Sequence, residues 1–126
     1  MPQIQVWINK DTDTNVEKLV KSLNGTVTAN SDKRLKAFFI FVDDTGKQFE
    51  PKLTLLAKKT DSNDVALAYL GSNHQGVRTY KINLDPEVKN TIIFYRNRKV
   101  LAKEINFVAD EKGLAKLKSD IDLILK

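Results

Sequence analysis

The spacing of the last two β-rich runs limits this chain more than any other feature. Thr91–Tyr95 and Lys99–Phe107 both read as strands, and only Arg96-Asn97-Arg98 lies between them. So short a connection closes a hairpin and leaves no room for a helix. A doubly wound domain of the receiver or flavodoxin type needs a helix there, so that architecture is excluded.

Upstream of the hairpin, strand and helix periods alternate. Ile4, Val6 and Ile8 alternate with Gln5, Trp7 and Asn9, which predicts a strand over 3–9. Asp11-Thr12-Asp13-Thr14 supplies helix-capping types, and Val16, Leu19, Val20, Leu23 and Val27 follow at helical spacing. The expected helix covers 14–29, kinked or ended at Asn24-Gly25. Leu35–Val42 is mostly apolar and predicts a strand buried on both faces, ended by a turn at Asp43-Asp44-Thr45-Gly46. Phe49, Leu53, Leu56 and Ala57 mark a second helix over 48–59, where Pro51 is tolerable only in the first turn. Val65–Leu70 reads as a third strand, followed by a polar loop from Gly71 to Gly76. Residues 77–90 are expected to be irregular, with one helical turn at 85–88. Leu114, Leu117, Ile121 and Ile124 mark a final helix over 111–125, whose positive end suits Asp110 and Glu111.

The order is β-α-β-α-β-β-β-α. The alternation implies parallel strands joined by right-handed crossovers, and the closing hairpin makes the sheet mixed. No linker, repeat or low-complexity tract interrupts the 126 residues, which read as one domain. A chain of this length buries about two thirds of its unfolded surface, so its core needs neither disulfide nor metal.

Composition mostly excludes. There is no cysteine and one histidine, His74. Thiol catalysis, disulfides, Fe–S clusters and Cys- or His-rich zinc sites are impossible within this chain. A Ser-His-Asp triad would have to use His74, and a lone loop histidine is expected to be solvated. The longest apolar run, Ala37–Val42, falls far short of the about 20 residues of a membrane span. The N-terminus has no basic region leading into an apolar stretch, so no signal peptide is expected in this chain. No phosphate-loop, dinucleotide-fold or nucleophile-elbow motif is present. The formal charge is +5, but the basic residues are dispersed, so a solvated surface is expected and nucleic-acid binding is not. Asn24-Gly25-Thr26 fits a glycosylation pattern but lies within a predicted helix, and Trp7 is expected to pack, partly buried, on the first strand.

Two acidic pairs follow strands: Asp11 and Asp13 after the first, Asp43 and Asp44 after the second. In a parallel sheet such positions share the carboxyl edge where ligands bind. Together with His74 they are candidates for Ca²⁺, Mg²⁺ or Mn²⁺. The preferred reading makes them caps and turn residues.

The segment Lys89–Val100 can be laid without gaps on the pattern V-P-T-L-L-L-F-K-N-G-E-V, and Val6–Leu23 on the strand–loop–helix that carries W-C-G-P-C-K. The chain resembles the thioredoxin-like superfamily, in the branch of peroxiredoxins and thiol-disulfide proteins with an extra strand before the final hairpin. The resemblance implies a three-layer α/β sandwich. Its five-stranded mixed sheet has the order 3-2-1-4-5, with strand 4 antiparallel to the rest and helices on both faces. The same resemblance withdraws the activity. Its two cysteine positions fall on Asp13 and Val16, with Thr14 and Asn15 between them, and its cis-proline position falls on Asn90. Neither a carboxylate nor a valine can attack or resolve a disulfide. The Lys89–Asn90 bond is expected to be trans.

The expected function is that of a redox-inactive binding or structural module. It would recognise a protein or small ligand at the surface of the former active site, formed by Asp13, Thr14, Asn15, Val16, Asn90 and Thr91. No cofactor and no reductase or peroxidase activity is expected. The alternative is a cysteine-independent enzyme or divalent-metal protein using the Asp11, Asp13, Asp43 and Asp44 edge, with weak affinity. An engineered cysteine-free redox protein ranks last, because Ser or Ala is the customary replacement.

Overall fold

The computed structural model describes residues 1–126. In chain order the elements are β1 (Gln3–Ile8), α1 (Asp13–Ala29), β2 (Lys36–Val42), α2 (Glu50–Thr60), β3 (Ala66–Leu70), α3 (Gln75–Thr79), β4 (Asn90–Arg96), β5 (Lys99–Ile105) and α4 (Glu111–Leu125). The strands form one sheet in the order β3-β2-β1-β4-β5. β1, β2 and β3 are parallel, and β4 is antiparallel to both its neighbours, β1 and β5. The expected strand order and directions are those observed.

Alternation along the strands sorts the side chains into two layers. Ile4, Val6 and Ile8 share one face with Ala37, Phe39 and Phe41 of β2 and Ile92 and Phe94 of β4. They meet the apolar stripes of α1 and α4, with Leu53 and Leu56 of α2 packed at the margin. The fully buried Phe39 and Phe94 each stabilise this layer by about 1.5–3 kcal/mol. The crossovers β1-α1-β2 and β2-α2-β3 step in the same direction across the sheet, so right-handedness puts both helices on this face.

The other face is covered by the connection from β3 to β4. Val77 of α3 and Ile82 pack there on Trp7 and Ile93, with Tyr80 and Leu84 beside them. Trp7 is deeper than its sequence context implies, at 3% exposure. Its indole N–H donates to Gln5 Oε1 at 3.1 Å, and its ring centre lies 6.0 Å from that of Tyr80.

Several boundaries differ from expectation for local reasons. α1 runs through Gly25 without a break, because Leu23 and Val27 on either side of it both stay on the stripe buried in the core. β2 is fully buried on one face only; Phe38, Ile40 and Val42 are half-buried because a short helix and a loop are all that cover them. A 3-10 turn at Gly46–Phe49 precedes α2, so Pro51 falls in the first helical turn. The polar loop ends in α3, a helix with no counterpart among the expected elements: His74 caps it by accepting the Gly76 N–H at Nδ1, 2.9 Å away. β5 stops two residues early because Asn106 adopts φ 57° and turns the chain toward α4. No helix is long and apolar enough to cross a membrane.

Candidate functional site

The carboxyl end of β1 leads directly into α1. Thr12 is the N-cap, its hydroxyl accepting the Asn15 N–H at 3.2 Å. Asp13 and Thr14 lie in the first turn and are exposed, whereas Val16, 4% exposed, turns into the core. The Asn15 side-chain amide donates to Asp11 Oδ2 at 2.8 Å and to the Phe107 carbonyl at 2.9 Å. Its carbonyl accepts the Ala109 N–H at 2.7 Å.

Asn90 opens β4 beside these groups. Its amide donates to Asp11 Oδ2 at 2.7 Å and to the Phe107 carbonyl at 3.0 Å, and its carbonyl accepts the Phe107 N–H at 2.8 Å. Asp11 Oδ1 accepts the Thr12 N–H at 2.8 Å. Both oxygens of Asp11 are therefore engaged, and Asn90 is 1% exposed with its amide fully used. The Lys89–Asn90 bond is trans, as expected. Thr91 is buried on the opposite face of the strand.

Further asparagines hold the connection that precedes β4. Asn9 donates to the Leu84, Asp85 and Val88 carbonyls at 3.1, 3.2 and 3.0 Å. Asn106 accepts the Lys89 N–H at 2.7 Å and donates to the Glu87 carbonyl at 3.0 Å. Sequence reasoning missed Asn9 and Asn106, and it missed the partners of Asn15. A signal was present: Asn9, Asn15, Asn90 and Asn106 all stand at or near the end of a regular element.

The acidic edge does not close into a metal-holding group, although Asp11, Asp13 and Asp43 border one groove. Asp43 bonds the Thr45 N–H at 2.8 Å and the Thr45 hydroxyl, within its own turn. Asp44 accepts the Ser72 N–H at 2.7 Å and the Ser72 hydroxyl, and these bonds hold its carboxyl below the usual range. No three of the Asp, Glu and His side chains gather in a metal-holding group.

Beside the clasped residues a groove opens between α1 and α2, with a volume of about 270 Å³. Val16, Phe41, Phe49, Leu53 and Leu56 supply its apolar lining, and Asp13 and Glu17 form one rim. Lys59 spans the groove to Glu17 at 2.7 Å, and Lys52 approaches Asp13 at 3.9 Å. The hydrogen bond and charge of Glu17 raise the Lys59 ammonium above the usual lysine range.

The fold as a whole superposes on solved structures. A candidate thiol:disulfide interchange protein, DsbE, from Chlorobium tepidum superposes with a TM-score of 0.73 at 13% identity, over 99% of this chain and 80% of that one. The fold is thioredoxin-like. A thioredoxin-like protein from Porphyromonas gingivalis gives 0.65 at 17% identity, over 98% and 75% of the two chains. The peroxidoxin BcpB from Mycobacterium tuberculosis gives 0.58 at 19%, over 94% and 79%. No protein-family model and no curated protein matches the sequence. In this thioredoxin-like frame the chain carries no cysteine, and the start of α1 and the start of β4 are joined by Asp11, Asn15 and Asn90.

Proposed function

We propose that this thioredoxin-like chain is a redox-inactive binding module. The observation that carries the reading is the contrast between two adjoining regions. The polar groups where thiol chemistry would sit satisfy one another, while the groove beside them stays open over an apolar floor. A buried, fully bonded amide network offers no nucleophile and no general base. A concave apolar site ringed by a few charges is the common form of a small-ligand or side-chain pocket.

On this reading Asp13 and Thr14 are the accessible part of the recognition surface, and Asn15 is held beneath them by the amide network. Val16 lines its wall, and Asn90 fixes Asp11 at its margin, whereas Thr91, on the opposite face of β4, takes no part in it. The partner is a small molecule or a protein side chain that enters between α1 and α2. A fragment panel titrated into nitrogen-15-labelled protein tests this. Saturable amide shifts confined to the start of α1 and to α2 are expected. Shifts elsewhere only, or turnover of insulin disulfide or peroxide above the uncatalysed rate, would overturn it.

A further inference from the structure

Lysines that lie far apart in the sequence meet at a second groove, between α1 and α4. Both helices leave the same edge of the sheet, where Asn15 accepts the Ala109 N–H, and both pack on the same face. Lys21 of α1 and Lys33, in the turn after it, line the groove from one side, and Lys118 of α4 and its C-cap Lys126 from the other. Asp122 is the one acidic side chain of the lining; Asp32, next to Lys33 in the chain, is not part of it. None of the five charged side chains of the lining forms an ion pair. Four lysines against one aspartate leave a net +3, and the balance stays positive when an α-carboxylate on Lys126 is counted as well. The floor is apolar: Leu117 and Ile121 are buried, at 2% and 4% exposure, with Leu114 and Leu125 half-buried beside them. On the α1 side Ser22, Gly25, Thr26 and Ala29 are short and leave the space between the helices open. A Cβ on Gly25 would meet nothing within 4 Å.

We propose that this groove docks an acidic amphipathic helix of a protein partner. The partner's apolar stripe would lie over Leu117 and Ile121, and carboxylates flanking the stripe would face the lysines of the two sides. Lys118 and Lys126 are eight residues apart, about 12 Å along α4 and close to the rise of two helical turns. Carboxylates two turns apart on the partner are therefore in register with them. The shape of the groove argues against other anions. A membrane surface takes up apolar side chains that protrude, and Leu117 and Ile121 are recessed. No aromatic side chain lines the groove to stack a nucleic-acid base. Its volume of about 910 Å³ is more than three times that of the α1–α2 groove and accommodates several side chains in a row. The two grooves share no lining residue, so this site is independent of the binding reading above.

Three peptides of about 18 residues, with leucine at helical spacing and glutamate, glutamine or lysine elsewhere, separate charge from apolar contact. Titrated into the nitrogen-15-labelled full chain, the glutamate peptide should shift amides around Gly25 and Ile121 saturably, in roughly the 0.1–1 mM range. The glutamine peptide should bind about tenfold more weakly and the lysine peptide more weakly still. Added salt should weaken the glutamate peptide. Lys21→Glu combined with Lys118→Glu should weaken it by about tenfold or more. Both lysines are exposed and unpaired, so folding is not at stake. Gly25→Leu, which fills the groove where a side chain has space, should weaken the glutamate and glutamine peptides alike. Equal binding of the glutamine peptide, shifts that ignore both variants, or no binding of the glutamate peptide would overturn the proposal. Binding of phosphatidylglycerol vesicles in place of the peptide would overturn it too, by assigning the lysines to a membrane surface. Each of these failures leaves the α1–α2 groove untouched.

Discussion

Asn15 and Asn90 donate to the same two oxygens, Asp11 Oδ2 and the Phe107 carbonyl, over distances of 2.7–3.0 Å. Each also accepts a backbone N–H from the β5–α4 connection, Ala109 for Asn15 and Phe107 for Asn90. Two primary amides and one carboxylate thus tie together the start of α1, the start of β4 and the approach to α4. Every strong donor and acceptor involved is used inside the fold, so these residues clasp the three segments together.

Loss of Asn90 should be strongly destabilising. Asn90→Ala leaves the buried Phe107 N–H without its partner and removes a donor from Asp11, so a loss of about 2–4 kcal/mol is expected in urea denaturation. Asn63→Ala, at an exposed position, should stay within about 0.5 kcal/mol. Asn90→Asp should place a second carboxylate beside Asp11 and lose more stability at neutral pH than near pH 4. A loss for Asn90→Ala no larger than for Asn63→Ala would show that the clasp is ornamental.

The positions assigned to the missing cysteines can be rebuilt. Residues three apart in one helix turn have Cα atoms about 5 Å apart, inside the range a disulfide tolerates. Asp13→Cys with Val16→Cys should therefore pair intramolecularly in air. The buried Val16 should make the double variant about 1 kcal/mol less stable before oxidation. A thiol at position 13, in the first turn of α1, should titrate below the free value of about 8.5. Thiols that stay free under mild oxidation would mean that the two positions do not correspond to the redox pair.

Two helical glycines should respond oppositely to alanine. A Cβ at Gly25 meets nothing, so Gly25→Ala should stabilise α1 by about 0.5–1 kcal/mol. A Cβ at Gly113 would overlap the Val108 carbonyl oxygen, backbone that cannot swing aside, so Gly113→Ala should destabilise despite the better helix propensity. Thermal midpoints of the two variants give the signs directly, and a stabilised Gly113→Ala would contradict the tight approach of α4 to its preceding turn.

Asn97 and Arg98 both have positive φ, at 53° and 64°, which makes the hairpin a type I′ turn. Arg98 stands where the resembling pattern has glycine, and a non-glycine residue in that conformation costs about 1–2 kcal/mol. Arg98→Gly should recover about 1 kcal/mol of stability after its greater unfolded-state freedom is subtracted. An unchanged or lower denaturation midpoint would contradict it.

Glu104 of β5 faces Asp120 of α4, which is 5% exposed and has one oxygen without a hydrogen-bond partner. Hydrogen bonding to Asp120, then burial, then the Asp120 charge raise the Glu104 carboxyl above its ordinary 4.5, against the opposing pull of Lys116. Folding therefore increases the affinity of the Glu104 carboxyl for a proton. The stability this supplies is complete below pH 4.5 and is lost as pH rises through the raised value. Glu104→Gln keeps a donor for Asp120 at every pH. It should be more stable than the parent at neutral pH, with the advantage closing toward pH 4. Asp44 is present in both proteins, so the difference isolates Glu104. An advantage independent of pH would refute the raised Glu104 carboxyl.

Period and connection length made most of the fold legible. The alternation of Ile4, Val6 and Ile8, the stripe from Val16 to Val27 and the short Arg96–Arg98 connection give the elements, the parallel crossovers and the mixed sheet, whereas the strand order comes from the family resemblance. α3 escaped because its start depends on a histidine nitrogen accepting a backbone N–H, a role that no hydrophobic period announces.

What the sequence by itself determined was the layered α/β architecture and the absence of thiol chemistry, since both depend on residue type and local spacing alone. Tertiary structure alone decided that Asp11, Asn15 and Asn90 bond to one another and not to solvent. It also decided that Asp43 bonds within its own turn while Asp44 reaches Ser72 in the loop after β3, and that a groove remains beside Asp13. The physical reason is that side-chain hydrogen bonds form between groups whose distance in space is set by sheet register, with Ile8 opposite Asn90, and by the turn at Asn106 that delivers Phe107 to them. Neither quantity is written in any local window of the chain.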